Sequence, residues 1–375
     1  MRWTDKIDRM GCGASSQGAG SVKAAPPVSS EDLFSKKYKI LKQLGEGGYA
    51  VVYSCRCKED QSMWAVKVFE KKKFGVSGMK DVYNETVLLR KVAHDHVTGV
   101  KETIEEVNFF YIIMELIQGG EMFDRIIEHG IYTEEDARQQ IRTVCETLHY
   151  CHEVGVVHLD IKPENLLYKS RRNDGTDKLK ICDFGIAREV GINDTIESDG
   201  LFHGTMGYCA PEILRLSPYG SKTDVWSVGC LTYILFSGCV PFEGDDSNEA
   251  GLKELISNTC KGNFIRFNAY GTDGPFNKIS QEGKDFIQKC FTVATNQRPS
   301  MAELLSTGWL SQPRPGDAPA LTDASKNLKK FNAKRKLKRA VRTIISANRM
   351  KELISGIQRA EAEKSEEIIP AEPTD

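Results

Sequence analysis

His158-Leu159-Asp160-Ile161-Lys162-Pro163-Glu164-Asn165, followed downstream by Asp183-Phe184-Gly185, decides how the rest of this chain is read. Within that span stand a carboxylate able to receive the proton of an attacking hydroxyl (Asp160), a lysine able to neutralise phosphate charge (Lys162), and two oxygen ligands for a hard divalent cation (Asn165 and Asp183). Phosphoryl transfer needs these parts held in line, because its transition state is stabilised by positioning and by charge. The stretch therefore points to that chemistry.

Upstream, Leu44-Gly45-Glu46-Gly47-Gly48-Tyr49-Ala50-Val51-Val52 is a glycine-rich turn between two strand-like runs, where backbone amides can approach phosphates closely. Ala65-Val66-Lys67 comes after it, then Glu85 in a helical-looking stretch from Asp81 to Val92. An isolated lysine or glutamate is ordinarily solvated surface, so the weight lies in the ordered succession. That succession continues with Gly204-Thr205-Met206-Gly207-Tyr208, Ala210-Pro211-Glu212, then Asp224, Trp226, Gly229 and Arg298.

In this order the motifs resemble those of the eukaryotic serine/threonine protein kinases, from about Tyr38 to Leu310. The resemblance implies an α+β, bilobal protein kinase fold with a small β-rich N-lobe (36–116) and a larger helical C-lobe (117–310), followed by a regulatory helix. It implies ATP and Mg2+ as cofactors. Asp160, Lys162, Lys67 and Thr205 would form the catalytic set, with Glu85 as the ion-pair partner of Lys67 and Asn165 and Asp183 on the metal. Leu44, Gly45, Gly47, Val52, Ala65 and Leu167 would surround the nucleotide, with Met114 behind it, Glu115 to Ile117 as the hinge and Glu121 just after. Glu121 and Glu164 match acids that receive a basic residue three positions before the target hydroxyl, so Arg-x-x-Ser/Thr is the expected site. Arg298 would pair with Glu212.

Some positions depart from the family. Ala50 replaces the third glycine of the loop, and Leu159 replaces the arginine that many kinases use to bind an activation-loop phosphate. Leu201 stands where some calmodulin-dependent kinases carry a phosphorylatable threonine, so loop phosphorylation is not expected to be needed. The run Val225 to Phe242 carries no formal charge and approaches the length of a membrane span, but its serine, threonine, glycine and proline content favours a buried helix.

The composition, with 375 residues, 40% hydrophobic and 27% charged, suits a soluble two-lobed domain with flanking segments. The eleven cysteines are odd in number and scattered, which favours a reduced, cytoplasmic setting. Net charge is only −1, yet between Ala324 and Lys351 there are eleven bases and no acid, leaving 40 bases against 52 acids elsewhere, about −12.

From Asn327 to Met350 this basic segment has a helical pattern, with Leu337, Val341, Ile344 and Ile345 on one apolar face. Leu328-Lys329-Lys330-Phe331-Asn332-Ala333-Lys334-Arg335-Lys336-Leu337-Lys338 resembles the regulatory segment of calcium/calmodulin-dependent protein kinases, which blocks the substrate groove until calmodulin removes it. The segment 318–357 is read as autoinhibitory, with Phe331, Leu337, Ile344 and Ile345 as anchors for calcium-loaded calmodulin. An anionic-membrane patch, a nucleic-acid patch and a solvated helix are the other uses of such a pattern; no nucleic-acid partner is expected here. The multifunctional branch has an arginine and a threonine where this chain has Leu321 and Ala324, so phosphorylation-locked autonomy is not expected. The acidic tail (358–375) is short, and a monomer is expected.

Residues 1–35 are rich in Gly, Ser, Ala and Pro and read as a disordered leader. Translation from Met10 would expose Met10-Gly11-Cys12-Gly13-Ala14-Ser15, a myristoylation pattern with Cys12 open to palmitate, and would place the protein at membranes; a flexible tail around an internal methionine is the alternative. The expected function is a calcium/calmodulin-regulated kinase acting on protein substrates, and its competitor is a calmodulin-binding pseudokinase scaffold. A dinucleotide enzyme is excluded, since the glycine turn does not lead from strand to helix.

Overall fold

The two runs that flank the glycine-rich turn are antiparallel strands, β1 (Tyr38–Glu46) and β2 (Val51–Cys57), paired from Tyr38 opposite Cys57 to Glu46 opposite Val51. The computed structural model describes residues 33–46, 50–73, 76–130, 132–171, 177–191, 194–244, 247–312 and 319–338. β3 (Met63–Glu70), β4 (Val100–Glu105) and β5 (Phe109–Glu115) complete an antiparallel sheet of order β1-β2-β3-β5-β4, against which α2 (Val76–Lys91) packs. Ala50, the departure from the loop glycine, buries its methyl among Phe69, Val82, Phe110 and Ile112.

The described N-lobe begins at Leu33, within the span 1–35 read as the leader. Leu33–Lys37 forms a short helix, α1, because Phe34 is buried and stacks on Tyr111 with ring centroids 4.3 Å apart. That aromatic contact outweighs the local polar composition.

The larger lobe is helical. α3 (Met122–His129) leads into α4 (Glu134–Glu153), which starts with a reciprocal capping box in which Thr133 Oγ1 accepts from Asp136 N at 3.2 Å and Asp136 Oδ2 accepts from Thr133 N at 2.7 Å. Short strands β6 (Val156–Val157), β7 (Leu166–Tyr168), β8 (Leu179–Ile181) and β9 (Arg188–Glu189) carry the loops between them. α5 (Pro211–Leu214) precedes α6 (Lys222–Ser237), and α7 (Glu249–Lys261), α8 (Gln281–Cys290), α9 (Met301–Leu305) and α10 (Gly308–Ser311) close around it. α6 is predominantly apolar and buried from Thr223 through Ser237, as a central core helix must be. No helix among the described residues is long and apolar enough to cross a membrane.

The last helix, α11, spans residues 322–338 and lies on the helical lobe. It begins earlier than the basic pattern suggests, and its packed stripe is Leu321, Ala324, Leu328 and Phe331 rather than the face through Leu337. Leu337 is 66% exposed. Nine residues beyond Leu328, at about 100° per residue, is the opposite side of a helix. Gly238 explains the close fit: it caps α6 at φ 70°, and a Cβ there would lie 2.4 Å from Leu328 N. Ser325 Oγ donates to Gly130 O at 2.9 Å and Asn327 Nδ2 to Ser237 O at 3.1 Å, which fixes the helix register.

Candidate active site

The β7–β8 hairpin does the local assembly. Leu166 pairs with Ile181, and Cys182 N donates to Asn165 O at 2.9 Å, so the residues flanking the hairpin, Asn165 and Asp183, meet at one end. From the other lobe β3 supplies Lys67, whose Nζ lies 2.7 Å from Glu85 Oε1 on α2 and 2.9 Å from Asp183 Oδ1. Burial alone would lower the Lys67 pKa, but Asp183 and Glu85 together raise it, so the ammonium stays charged. The same ammonium holds Asp183 down to about 2, while burial pushes Glu85 up.

Asp160 is held from several sides. Thr205 Oγ1 donates to its Oδ1 at 2.6 Å, Lys162 Nζ sits 2.6 Å from its Oδ2, and Asn165 Nδ2 donates to its backbone oxygen at 2.8 Å. Lys162 Nζ also reaches Thr205 Oγ1 at 2.8 Å, closing a ring of three side chains, Asp160, Thr205 and Lys162. With the Asn165 amide nitrogen committed, its oxygen and the Asp183 carboxylate form an all-oxygen donor pair, which fits a hard cation such as Mg2+.

The loop backbone is strained, with Leu159 at φ 67° and Asp183 at φ 63°, a region costly for side-chain-bearing residues. Asp224 at the start of α6 over-determines the first of these: it accepts from His158 N at 3.0 Å and Leu159 N at 2.9 Å, and bonds His152 Nε2 at 2.8 Å. Burial alone would raise Asp224, yet these bonds lower its pKa and keep the carboxylate ionised.

Of the expected nucleotide walls, Ala65 is buried opposite Met114 in the β3–β5 register, Val52 lies on β2 and Leu167 on β7. Leu44 is 47% exposed near the end of β1, and a Cβ on Gly45 would meet nothing within 4 Å. Glu115, the first residue of the expected hinge, pairs with Lys169 and Lys180, each at 2.8 Å. Gly47, Ile344, Ile345 and the stretch Met10 to Ser15 lie outside the described residues.

Glu121, the residue before α3, and Glu164, in the turn Pro163–Asn165, converge on one guanidinium from α11. Arg335 Nη1 lies 2.6 Å from Glu164 Oε1, and Nη2 bonds Glu121 Oε2. Asp124 accepts from Asn332 Nδ2 at 2.7 Å and pairs with Lys336 at 2.6 Å. Phe331 packs on Phe123 at 6.4 Å between centroids. Burial would lower the Arg335 pKa, but Glu164 and Glu121 raise it. Arg335 Nε and Glu164 Oε2 are nevertheless buried without hydrogen-bond partners.

The protein kinase domain family matches residues 38–310. This chain is a protein kinase. It is 33% identical over 357 residues to human calcium/calmodulin-dependent protein kinase type IV, covering 92% of this chain and 71% of that relative. It is 38% identical over 310 residues to the type 1 kinase of Macrobrachium nipponense, covering 81% and 84%, and 35% identical over 328 residues to the Drosophila melanogaster type II alpha chain, covering 87% and 59%. The kinase therefore belongs to the calcium/calmodulin-dependent group of ATP-dependent serine/threonine kinases.

Several residues of the kinase site escape sequence reading. Asp124 stands one turn beyond Glu121 and so shares its face, a signal that was available in the spacing. His152, Lys180 and the identity of the residue filling the Glu121–Glu164 site carry no local signal, because each contact joins distant parts of the chain.

Proposed function

We propose that this kinase transfers the γ-phosphate of ATP to Ser or Thr in Arg-x-x-Ser/Thr contexts, and that α11 inhibits it by occupying the site for the substrate arginine. In the catalytic half of this reading, Asp160 orients the incoming hydroxyl and takes its proton, and Lys162 offsets charge beside it. Lys67, positioned by Glu85, meets the α- and β-phosphates, and Thr205 keeps Asp160 aimed. Asn165 and Asp183 would hold Mg2+, which neutralises phosphate charge when bound. Leu44, Val52, Ala65, Met114 and Leu167 supply the apolar faces for adenine, with backbone groups of the hinge at its edge.

The regulatory half rests on a single observation: one arginine bridges Glu121 and Glu164, the two acids expected to read the substrate. A peptide arginine and Arg335 then compete for the same carboxylates. The unpartnered Arg335 Nε and Glu164 Oε2 each carry a desolvation cost of about 1–3 kcal/mol, which keeps the docked state displaceable. Calcium-loaded calmodulin would displace it by gripping the basic helix, with Leu337 exposed while docked and Phe331 half-buried until release. Ile344 and Ile345 are the further anchors of this reading. Acylation at Gly11 after a start at Met10 stays part of the proposal, checked by mass spectrometry of the native amino terminus.

Phosphate transfer from ATP-Mg2+ to an Arg-x-x-Ser peptide, with and without calcium-calmodulin, tests both halves. Activity should rise with calmodulin, and Asp160→Asn should lower it by about 10²- to 10⁴-fold in either state. Equal activity in both states would remove the inhibition; none in either would favour a scaffold.

A further inference from the structure

The activation segment between β9 and α5 contains a polar clasp that the catalytic account leaves unused. His203 Nε2 lies 2.9 Å from Asp199 Oδ1 and 2.8 Å from Asp199 Oδ2, and Leu201 N donates to Asp199 Oδ1 at 3.0 Å. The carboxylate thus closes a loop over Gly200, Leu201 and Phe202, whose two large side chains are exposed. His203 is itself mostly buried, so the ring is wedged against the body while Asp199 faces outward. The Leu201 amide and His203 together hold the Asp199 pKa below the usual carboxylate range.

Beyond the clasp the chain runs onto the catalytic loop. Gly204 comes next, at φ 116°, where a Cβ would lie 2.8 Å from Cys209 Sγ and 3.1 Å from Leu159 O, so the chain passes directly over Leu159. Thr205 is then delivered to Asp160 at 2.6 Å, and Cys209 Sγ caps the Thr205 carbonyl at 2.9 Å. From beneath, Leu159 sits in an apolar cluster with Val157, Val190, Cys209, Ile213 and Tyr219, which ties both ends of the segment to the loop. Ile196 and Tyr219 exchange backbone bonds at 2.9 and 3.1 Å at its entry. Between Asp199 and Thr205 no side chain carries a hydroxyl.

We propose that Asp199 and His203 are positioning residues for catalysis, a permanent carboxylate–imidazole clasp that sets Thr205 against Asp160 without any phosphate on the segment. Leu159 supplies the other half of the device: an apolar contact replaces a charge that would have had to be neutralised. The kinase is then assembled for catalysis as synthesised, and control falls on access to the Glu121–Glu164 site. This deepens the reading of the catalytic site given above and rests on it.

The test uses the full chain after phosphatase treatment, with calcium-calmodulin saturating. Wild type should keep its peptide kcat/KM after treatment. Asp199→Asn and His203→Gln should each lower that kcat/KM by about three- to tenfold, the range for one partly exposed charge-assisted bond, with KM for ATP and thermal midpoint unchanged. Asp199→Glu should recover most of the loss. Backbone hydrogen exchange over residues 199–209 reads the clasp independently of activity: protection in the unphosphorylated wild type should fall in Asp199→Asn. Loss of activity on phosphatase treatment, or variants that match wild type in both kinetics and exchange, would overturn the proposal. An inactive wild type with the expected exchange pattern would instead strike the catalytic reading and leave the clasp standing.

Discussion

Arg298 and Arg335 each meet glutamate, and the difference between them sets a contact of the fold against the proposed contact of control. Arg298 is fully buried and donates to both oxygens of Glu212, at 2.7 and 2.9 Å. It also donates to Thr292 O at 2.8 Å and Lys222 O at 2.9 Å, and its guanidinium carbon lies 5.1 Å from the centre of the Trp226 ring. Arg335 meets two glutamates that belong to different loops, leaves Nε without a partner, and stands on the helix proposed above to be displaced. A saturated pair buried inside one lobe has nothing to exchange with; an incompletely satisfied pair across a separable surface does. The first holds the helical lobe together. The second is, in the function proposed above, an occupied binding site.

The largest effect expected from breaking this contrast lies at the saturated pair. Arg298→Ala should cost about 3–5 kcal/mol of stability, because it strands Glu212 in the core, and urea unfolding of the full chain measures it. A loss below about 1 kcal/mol would erase the distinction. Next comes Glu164→Gln, which weakens the exchangeable site for both occupants. With calmodulin present, the peptide KM should rise about tenfold or more, in line with about 1.5–3 kcal/mol for a hydrogen bond to a charged group, while KM for ATP stays put.

Between the two extremes lies the Lys67–Asp183 pair, half open to the cleft. Lys67 depresses the Asp183 pKa to about 2, so this pair contributes stability above the ordinary carboxylate pKa of about 4 and loses it as pH falls toward about 2. The unfolding free-energy difference between wild type and Asp183→Asn should therefore be flat from about pH 5 to 8 and shrink below about pH 4. A difference that changes steeply near neutrality would contradict the assignment of the shift to Lys67.

How far each region could be read from sequence tracks the same division. The loop from His158 to Asn165 is contiguous, and the two-lobed α+β fold is implied by its order with the glycine-rich turn, Lys67 and Arg298. These residues carry spacing that survives without coordinates. The seat of α11 does not, because contacts such as Arg335 with Glu164 or Asn332 with Asp124 join residues more than 170 positions apart. The helical pattern was visible, but a window opened at Asn327 omits Leu321 and Ala324, and so selects the face of Leu337 rather than the face that is buried. Periodicity tells that a helix has an apolar side; which side meets the protein depends on what faces it, here Gly238 and Phe123.

The central claim, that Arg335 blocks the site a substrate arginine would use, is tested most directly by peptide phosphorylation in calcium chelator by Arg335→Ala beside wild type. The account predicts calcium-free activity at least about tenfold above wild type, with equal activity once calmodulin is saturating and an unchanged unfolding midpoint. Calcium-free activity indistinguishable from wild type would contradict it.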